Sequence, residues 1–87
     1  MKIESNRCVE VEIQGEAFLL KLNDGRKVIV PYECYPLLAR ATSEQRQKVE
    51  IYAQGRMLHW PLIDEDIEVE HILEGKMPVK LQVVAHS

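Results

Sequence analysis

The densest group of chemically competent side chains in this sequence is acidic. It consists of Asp64, Glu65, Asp66, Glu68 and Glu70. No Lys or Arg occurs between Arg56 and Lys76, so these carboxylates have no cationic neighbour in the sequence. Ca²⁺ and Mg²⁺ prefer converging carboxylate oxygens, and an acidic surface can also attract a basic protein. The run therefore has three interpretations: a hard-cation site, a docking surface, or the charged start of a helix.

The helical interpretation of the acidic run has the strongest support. A calcium-binding loop places oxygens at alternate positions around a turn Gly, whereas this segment contains Ile67. Asp66 and Glu68 precede a predicted helix, where capping and the helix dipole favour carboxylates. We rank an acidic surface for a basic partner second, and we predict no metal site.

Trp60 is the only Trp in the chain, and Pro61 follows it. A Trp on a strand either anchors the core or forms a hot spot at an interface. Because Trp60 follows Met57-Leu58 on the predicted strand, we favour an anchor that is at least half buried, and we keep the interface alternative. The predicted interaction surface comprises Trp60, Asp64, Glu65, Asp66 and Glu70.

No other combination of side chains supports a catalytic or cofactor-binding prediction. Zinc requires three or four ligands within tetrahedral reach, and the cysteines do not cluster in sequence with His59, His71 or His86. A nucleophilic pair of Cys34 and His59 lacks a third group to orient it, so Cys8 and Cys34 are interpreted as small buried hydrophobes. The glycines are spaced as turns rather than as a phosphate-binding loop. We predict no catalytic residue, no metal and no cofactor.

The composition favours a single small domain over residues 1–87. Hydrophobic residues make up 46% of the chain and charged residues 29%, which is too apolar for intrinsic disorder. The formal net charge of −3 supplies no concentrated positive charge for a nucleic-acid backbone. No apolar run reaches the ~18 residues of a membrane span, and the first residues lack the apolar stretch of a signal peptide. We expect a cytoplasmic protein with reduced thiols.

The N-terminal part of the chain predicts an antiparallel meander from about Arg7 to Val30. Apolar and polar residues alternate over 9–13, which is typical of a strand with one buried face. The segments 17–22 and 27–30 are rich in β-forming residues, and Asp24-Gly25 between them is typical of a tight hairpin turn.

The middle of the chain predicts two short helical segments. Pro36 suits the first turn of a helix, where its missing N–H costs nothing. Thr42 and Gln45 have the spacing of a capping box at the start of the second segment. That segment is polar almost all round, so we expect a short surface helix.

A second hairpin and a closing helix complete the predicted fold. The segments 49–53 and 57–60 form the hairpin, and the helix covers roughly 69–74 with Gly75 as its left-handed stop. The tail 76–87 either adds an edge strand or remains without regular structure. The prediction is an α+β fold, with a small antiparallel sheet built from two hairpins in the order β-β-β-α-β-β-α and a short C-terminal helix.

Three stretches of the sequence resemble a known bacterial family. They run from Phe18 to Val30, from Tyr35 to Arg46 and from Leu58 to Gly75. The last is the most specific, with an aliphatic residue two places before Trp, an Asp-Glu-Asp run and a short helix ending in Gly. Over about residues 9–75 the chain is similar to the domain-of-unknown-function family DUF2442. Glu68 departs from the Ser that relatives often carry there.

This resemblance implies a short α+β module without an established catalytic residue. Some relatives resemble an N-terminal module followed by a helix-turn-helix DNA-binding domain, for which 87 residues leave no room. Others look like partners of a small neighbouring protein in toxin–antitoxin-like pairs.

We therefore expect a non-enzymatic protein-interaction module, the antitoxin-like or regulatory member of a two-protein system whose small partner is encoded by an adjacent gene. One alternative is an accessory domain of a transcriptional regulator, although we expect no direct binding of nucleic acid. Another alternative is a small enzyme or metal-binding protein. A homodimer is also compatible with exposed strand edges and a small core.

Overall fold

The computed structural model describes residues 7–79 and confirms the predicted α+β fold. Within these residues, six strands form two antiparallel sheets of three strands each, and short helical segments connect or close them. The strands are β1 (Cys8–Ile13), β2 (Ala17–Leu22), β3 (Lys27–Pro31), β4 (Glu50–Tyr52), β5 (Met57–Trp60) and β6 (Glu65–Glu68). The helices are α1 (Pro36–Ala39), α2 (Ser43–Gln47) and α3 (Val69–Leu73), with 3₁₀ turns at Tyr32–Cys34 and Ala53–Gly55.

The first sheet is the predicted meander, with β2 between β1 and β3. The turn from β2 to β3 contains Gly25 at φ 93°, a left-handed conformation that Gly adopts without a Cβ clash. Asp24 supports this turn because its carboxylate accepts hydrogen bonds from the backbone N–H of Arg26 (3.0 Å) and from its Nε (2.7 Å). The Asp-Gly prediction is therefore confirmed.

The second sheet has β5 at its centre, between β4 and β6. The two predicted hairpins thus lie in separate sheets, and β6 is a strand that the sequence did not predict. Ile67 is the one buried residue of β6 and lies opposite Leu58. So short a strand offers too little alternation to be recognised from sequence. The turn before it includes Asp64, which has φ 52°.

Both predicted helix boundaries are confirmed by their hydrogen bonds. Thr42 accepts a bond from the backbone N–H of Gln45 (3.1 Å), and the Gln45 side chain accepts one from the backbone N–H of Thr42 (2.9 Å), which completes the capping box. Helix α3 ends before Gly75, which has φ 75°, and the Lys76 N–H then donates to the carbonyl oxygen of His71 (2.8 Å). Left-handed Gly is the common way to satisfy the last carbonyls of a helix.

Aromatic side chains from both halves of the chain form the centre of the core. Phe18 of the first sheet meets Trp60 of the second edge to face, with ring centroids 5.4 Å apart, and both side chains are fully buried. The Trp60 Nε1–H donates to the carbonyl oxygen of Arg46 (2.9 Å). The Arg46 guanidinium in turn lies 4.1 Å from the ring centroid of Tyr32. These contacts connect the two sheets to the end of α2.

A close backbone approach provides a second connection between the sheets. The 3₁₀ turn that links β4 and β5 ends at Gly55, which has φ 90° and lies against β1. A Cβ atom on Gly55 would stand 2.5 Å from the carbonyl oxygen of Cys8. No real Cβ fits at that distance, so this position requires Gly.

The end of the described chain packs back on the first half. The Val79 N–H donates to the carbonyl oxygen of Cys34 (3.2 Å). Residues 76–79 do not form a strand, and the rest of the predicted edge strand or tail, 80–87, lies outside the described residues. Among residues 7–79, no helix has the length and apolar character needed to cross a bilayer.

Candidate functional site

The outer face of the second sheet brings several polar side chains together. Because side chains alternate along each strand, six residues of β4, β5 and β6 share this face. We call them the outer face: Glu50, Tyr52, Met57, His59, Asp66 and Glu68. The opposite side of β5 and β6 carries Leu58, Trp60 and Ile67, which are buried in the core.

The strand register sets the outer face in two rows. Glu50 lies opposite His59, which lies opposite Asp66, so an imidazole stands between two carboxylates. In the second row, Tyr52 lies opposite Met57, which lies opposite Glu68. Directly opposed side chains in an antiparallel sheet have Cβ atoms about 5 Å apart, close enough for direct contact.

Side-chain contacts connect the two rows. The Nδ1 atom of His59 lies 2.5 Å from Oδ1 of Asp66, and the Tyr52 hydroxyl donates to Oε1 of Glu50 (2.6 Å). The Tyr52 and His59 rings lie 5.6 Å apart between centroids. The bond to Glu50 is the main reason that the pKa of Tyr52 is raised above its ordinary value. The face is therefore an ordered arrangement of hydrogen-bonded polar groups with an exposed aromatic ring, since Tyr52 is 49% exposed.

The prediction that Asp66 belongs to the start of the helix is wrong, whereas Glu68 does lie at the helix N-terminus but does not cap it with its side chain. Asp66 lies within β6 and pairs with His59. Glu68 occupies the N-cap position of α3 but makes no side-chain capping bond, and its carboxylate contacts Nε2 of His71 at 3.1 Å. The physical reason is the unpredicted strand, which directs alternate side chains outward rather than along a helix axis.

The remaining residues of the predicted interaction surface are spread over several environments. Asp64 is exposed in the turn before β6, and Glu70 is exposed on α3. Glu65 lies opposite Trp60 and is partly buried, and this burial raises the pKa of its carboxyl group. Trp60 itself is fully buried, so it cannot form part of a surface, and the interpretation of Trp60 as a core anchor is confirmed.

Glu50 and Tyr52 are the outer-face residues that sequence reasoning missed. The alternation over 49–53 had predicted their strand, and the β4–β5 hairpin places Glu50 beside His59. The sequence contained the information needed to find them, because the alternation of two paired strands determines which side chains share a face.

The described residues bring together no metal or nucleophile site. Among residues 7–79, no group of three or more His, Cys, Asp or Glu side chains has an arrangement that could hold a metal ion. Cys34 is buried in the core, where burial raises the pKa of its thiol, while His59 faces outward and pairs with Asp66. The Cys34–His59 pair considered from the sequence does not form.

Charge is strongly segregated between two parts of the chain. The segment 57–75, which contains β5, β6 and α3, holds six Asp or Glu residues and no Lys or Arg, so its formal charge is −6. Since the whole chain has a formal charge of −3, the remaining residues carry +3. Such segregation produces a directional field that favours a positively charged partner at the acidic part.

An apolar groove adjoins the outer face at its Glu50 end. It has a volume of about 360 Å³ and is lined by Gln47, Lys48, Val49, Glu50, Pro61 and Leu62. Leu62, one of these lining residues, is 55% exposed. Glu50 belongs to both the groove and the outer face, so the two surfaces are continuous.

Comparison with known proteins confirms the family resemblance. The family described as "Protein of unknown function (DUF2442)" matches residues 8–78. A crystal structure of a protein of unknown function from Rhodospirillum rubrum ATCC 11170 is similar with a TM-score of 0.74 and 25% identity, over 79% of this chain and 86% of that chain. An uncharacterized protein from Chromobacterium violaceum, solved by NMR, has a TM-score of 0.70 and 21% identity, over 80% of this chain and 66% of that chain. No curated protein matches the chain.

Proposed function

The chain belongs to DUF2442, a family of proteins of unknown function, and we propose that it is a non-enzymatic protein-interaction module. The observation that carries this proposal is the segregated charge, because the segment 57–75, with β5, β6, the turn between them and α3, carries a formal charge of −6 without a Lys or Arg, which suits recognition of a basic protein. The polar groups of the outer face support it, since their hydrogen bonds hold them on a rigid sheet.

We further propose that the module is the antitoxin-like or regulatory member of a two-protein system in the cytoplasm. Its partner would be a small basic protein encoded by an adjacent gene. A small domain buries a limited fraction of its surface, so association with a partner would add stability as well as regulation. The acidic segment provides the charge that such a partner would require.

Two experiments test this function. The tagged chain is expressed from its own locus and isolated at physiological salt, and we expect one small basic protein to be retained in stoichiometric amount. The adjacent gene is then expressed alone and together with this chain, and we expect growth inhibition that co-expression relieves. Absence of a stoichiometric partner, combined with normal growth when the adjacent gene is expressed alone, would reject the proposal.

A further inference from the structure

The groove beside the outer face is small, open and mostly apolar. Pockets for whole ligands have volumes of about 300–1,000 Å³, and this open groove of about 360 Å³ lies at the lower end. Its apolar lining is supplied by Val49, Pro61 and Leu62, and none of its lining residues is a buried polar group that could orient a small ligand. Such a groove suits one aliphatic or aromatic side chain inserted from another protein.

The two sides of the groove differ in charge. Lys48 lies on the side of α2, whereas Glu50 lies on the side of the sheet and continues into the row that contains Asp66. A cation on an inserted segment is repelled on the first side and attracted on the second. The groove therefore favours a segment whose positive charge lies toward the outer face.

Tyr52 extends this preference for a cation. Its hydroxyl is engaged with Glu50, which fixes the ring, and half of the side chain remains exposed. A guanidinium or ammonium group can stack on an aromatic ring with attraction that is strengthened by carboxylates at its rim. The carboxylates that act on Tyr52 are Glu50, which accepts the hydrogen bond of its hydroxyl, and Asp66, whose negative charge also contributes to its raised pKa.

From these observations we propose that the groove and the outer face form one docking site for a basic amphipathic segment of the partner protein. An apolar side chain of that segment fills the groove at Leu62, and a Lys or Arg next to it contacts Tyr52, Glu50 and Asp66. This inference rests on the proposed function and adds to it the location of the site and the chemistry of the occupant. Charge complementarity selects this occupant over a second copy of the same chain, because two copies would bring the outer-face carboxylates Glu50, Asp66 and Glu68 of each copy together.

Site-specific photocrosslinking in the source cells tests the location of the site. A photoreactive phenylalanine analogue is introduced at Leu62 in the full chain, and in a matched control at Ile29, which is 64% exposed on the first sheet. We expect crosslinking to a partner from Leu62 and little from Ile29. Mass spectrometry of the Leu62 product is expected to identify a partner peptide with a Lys or Arg within a few residues of the crosslinked apolar residue.

Charge reversal tests the chemistry of the site. In the chain that carries the photoreactive residue at Leu62, Glu50→Lys with Asp66→Lys is expected to reduce the crosslinked product by about tenfold. A control with the same change in net charge, Glu12→Lys with Glu16→Lys on the first half of the chain, is expected to leave the yield unchanged. Circular dichroism is used to check that each variant remains folded.

The outcomes separate this inference from the proposed function. A partner that crosslinks equally from Ile29, or whose yield is insensitive to reversal at Glu50 and Asp66, overturns the site but leaves the interaction module intact. A product that contains an acidic peptide or a second copy of this chain also overturns the site. If neither position yields any crosslinked protein and the isolation recovers no partner, both proposals fail.

Discussion

Replacing Gly55 by Ala measures how strongly the two sheets depend on one close backbone approach. The substitution adds a single Cβ atom with two separate consequences. It forces a non-Gly residue to adopt φ 90°, and it places the new carbon 2.5 Å from the carbonyl oxygen of Cys8. The first consequence is local strain of about 1–2 kcal/mol, whereas the second displaces the 3₁₀ turn from β1 and costs about 1–3 kcal/mol more.

A second Gly in the chain provides the control that separates these terms. Gly25 has φ 93°, nearly the same as Gly55, but a Cβ on Gly25 would meet no atom within 4 Å. Gly25→Ala therefore carries the backbone strain without the clash. The difference in unfolding free energy between the two variants therefore measures the cost of the clash with Cys8. We expect Gly55→Ala to be less stable than Gly25→Ala by about 1–3 kcal/mol.

Urea denaturation followed by Trp60 fluorescence provides the measurement. The slope of the unfolding free energy against urea is about 1 kcal/mol per molar for a small domain, so the expected difference separates the midpoints by at least about 1 M. A chain of this length has a total stability of about 4–13 kcal/mol, and Gly55→Ala removes a large part of it. Equal midpoints for the two variants would refute the idea that contact with Cys8 limits this position.

Three further predictions concern the capping box, a buried hydroxyl and a buried carboxyl. Thr42→Ala removes the cap of α2 and is expected to lower the unfolding free energy by about 1 kcal/mol in urea denaturation, and an unchanged midpoint would contradict the capping role. The buried hydroxyl of Tyr35 has no hydrogen-bond partner among residues 7–79, and burial raises its pKa to about 12. Tyr35→Phe should therefore leave the melting temperature unchanged or raise it, and a loss of more than about 1 kcal/mol would reveal a bond to that hydroxyl. Burial also raises the pKa of the Glu65 carboxyl group, because the protonated form is favoured in its partly buried site. The folded protein therefore keeps this stabilisation below the unfolded-state pKa of Glu65 and loses it as the pH rises through the folded-state pKa. Glu65→Gln should consequently gain stability relative to the parent chain between pH 4 and pH 7, and a constant difference across that range would contradict the raised pKa.

The local features with strong chemical constraints could be predicted from the sequence. Asp24-Gly25 determined its hairpin turn because left-handed backbone strongly favours Gly. The capping box at Thr42 and the Gly stop after α3 were predicted for similar reasons, since each depends on residues within one helical turn. These features need no knowledge of the tertiary structure.

The arrangement of the second sheet could not be predicted in the same way. Strand β6 is formed because Ile67 packs opposite Leu58, and that pairing depends on residues across a turn rather than on local preference. Because β6 was not predicted, Asp66 was assigned to a helix start instead of a sheet face. The burial of Trp60 was favoured from its neighbours, but its bond to the Arg46 carbonyl depends on how α2 packs on the sheet.

The order of the strands along the chain has a consequence for how this domain folds. Each sheet is assembled from one continuous stretch, 8–31 for the first and 50–68 for the second, so every strand pairing within residues 7–79 joins near neighbours in sequence. Contacts of this kind close short loops and form early, whereas the meeting of Phe18 with Trp60 joins positions far apart in the chain. We therefore expect the transition state to contain largely formed hairpins that have not yet joined. Truncating Phe18 should then accelerate unfolding far more than it slows folding, because the contact between the sheets forms late.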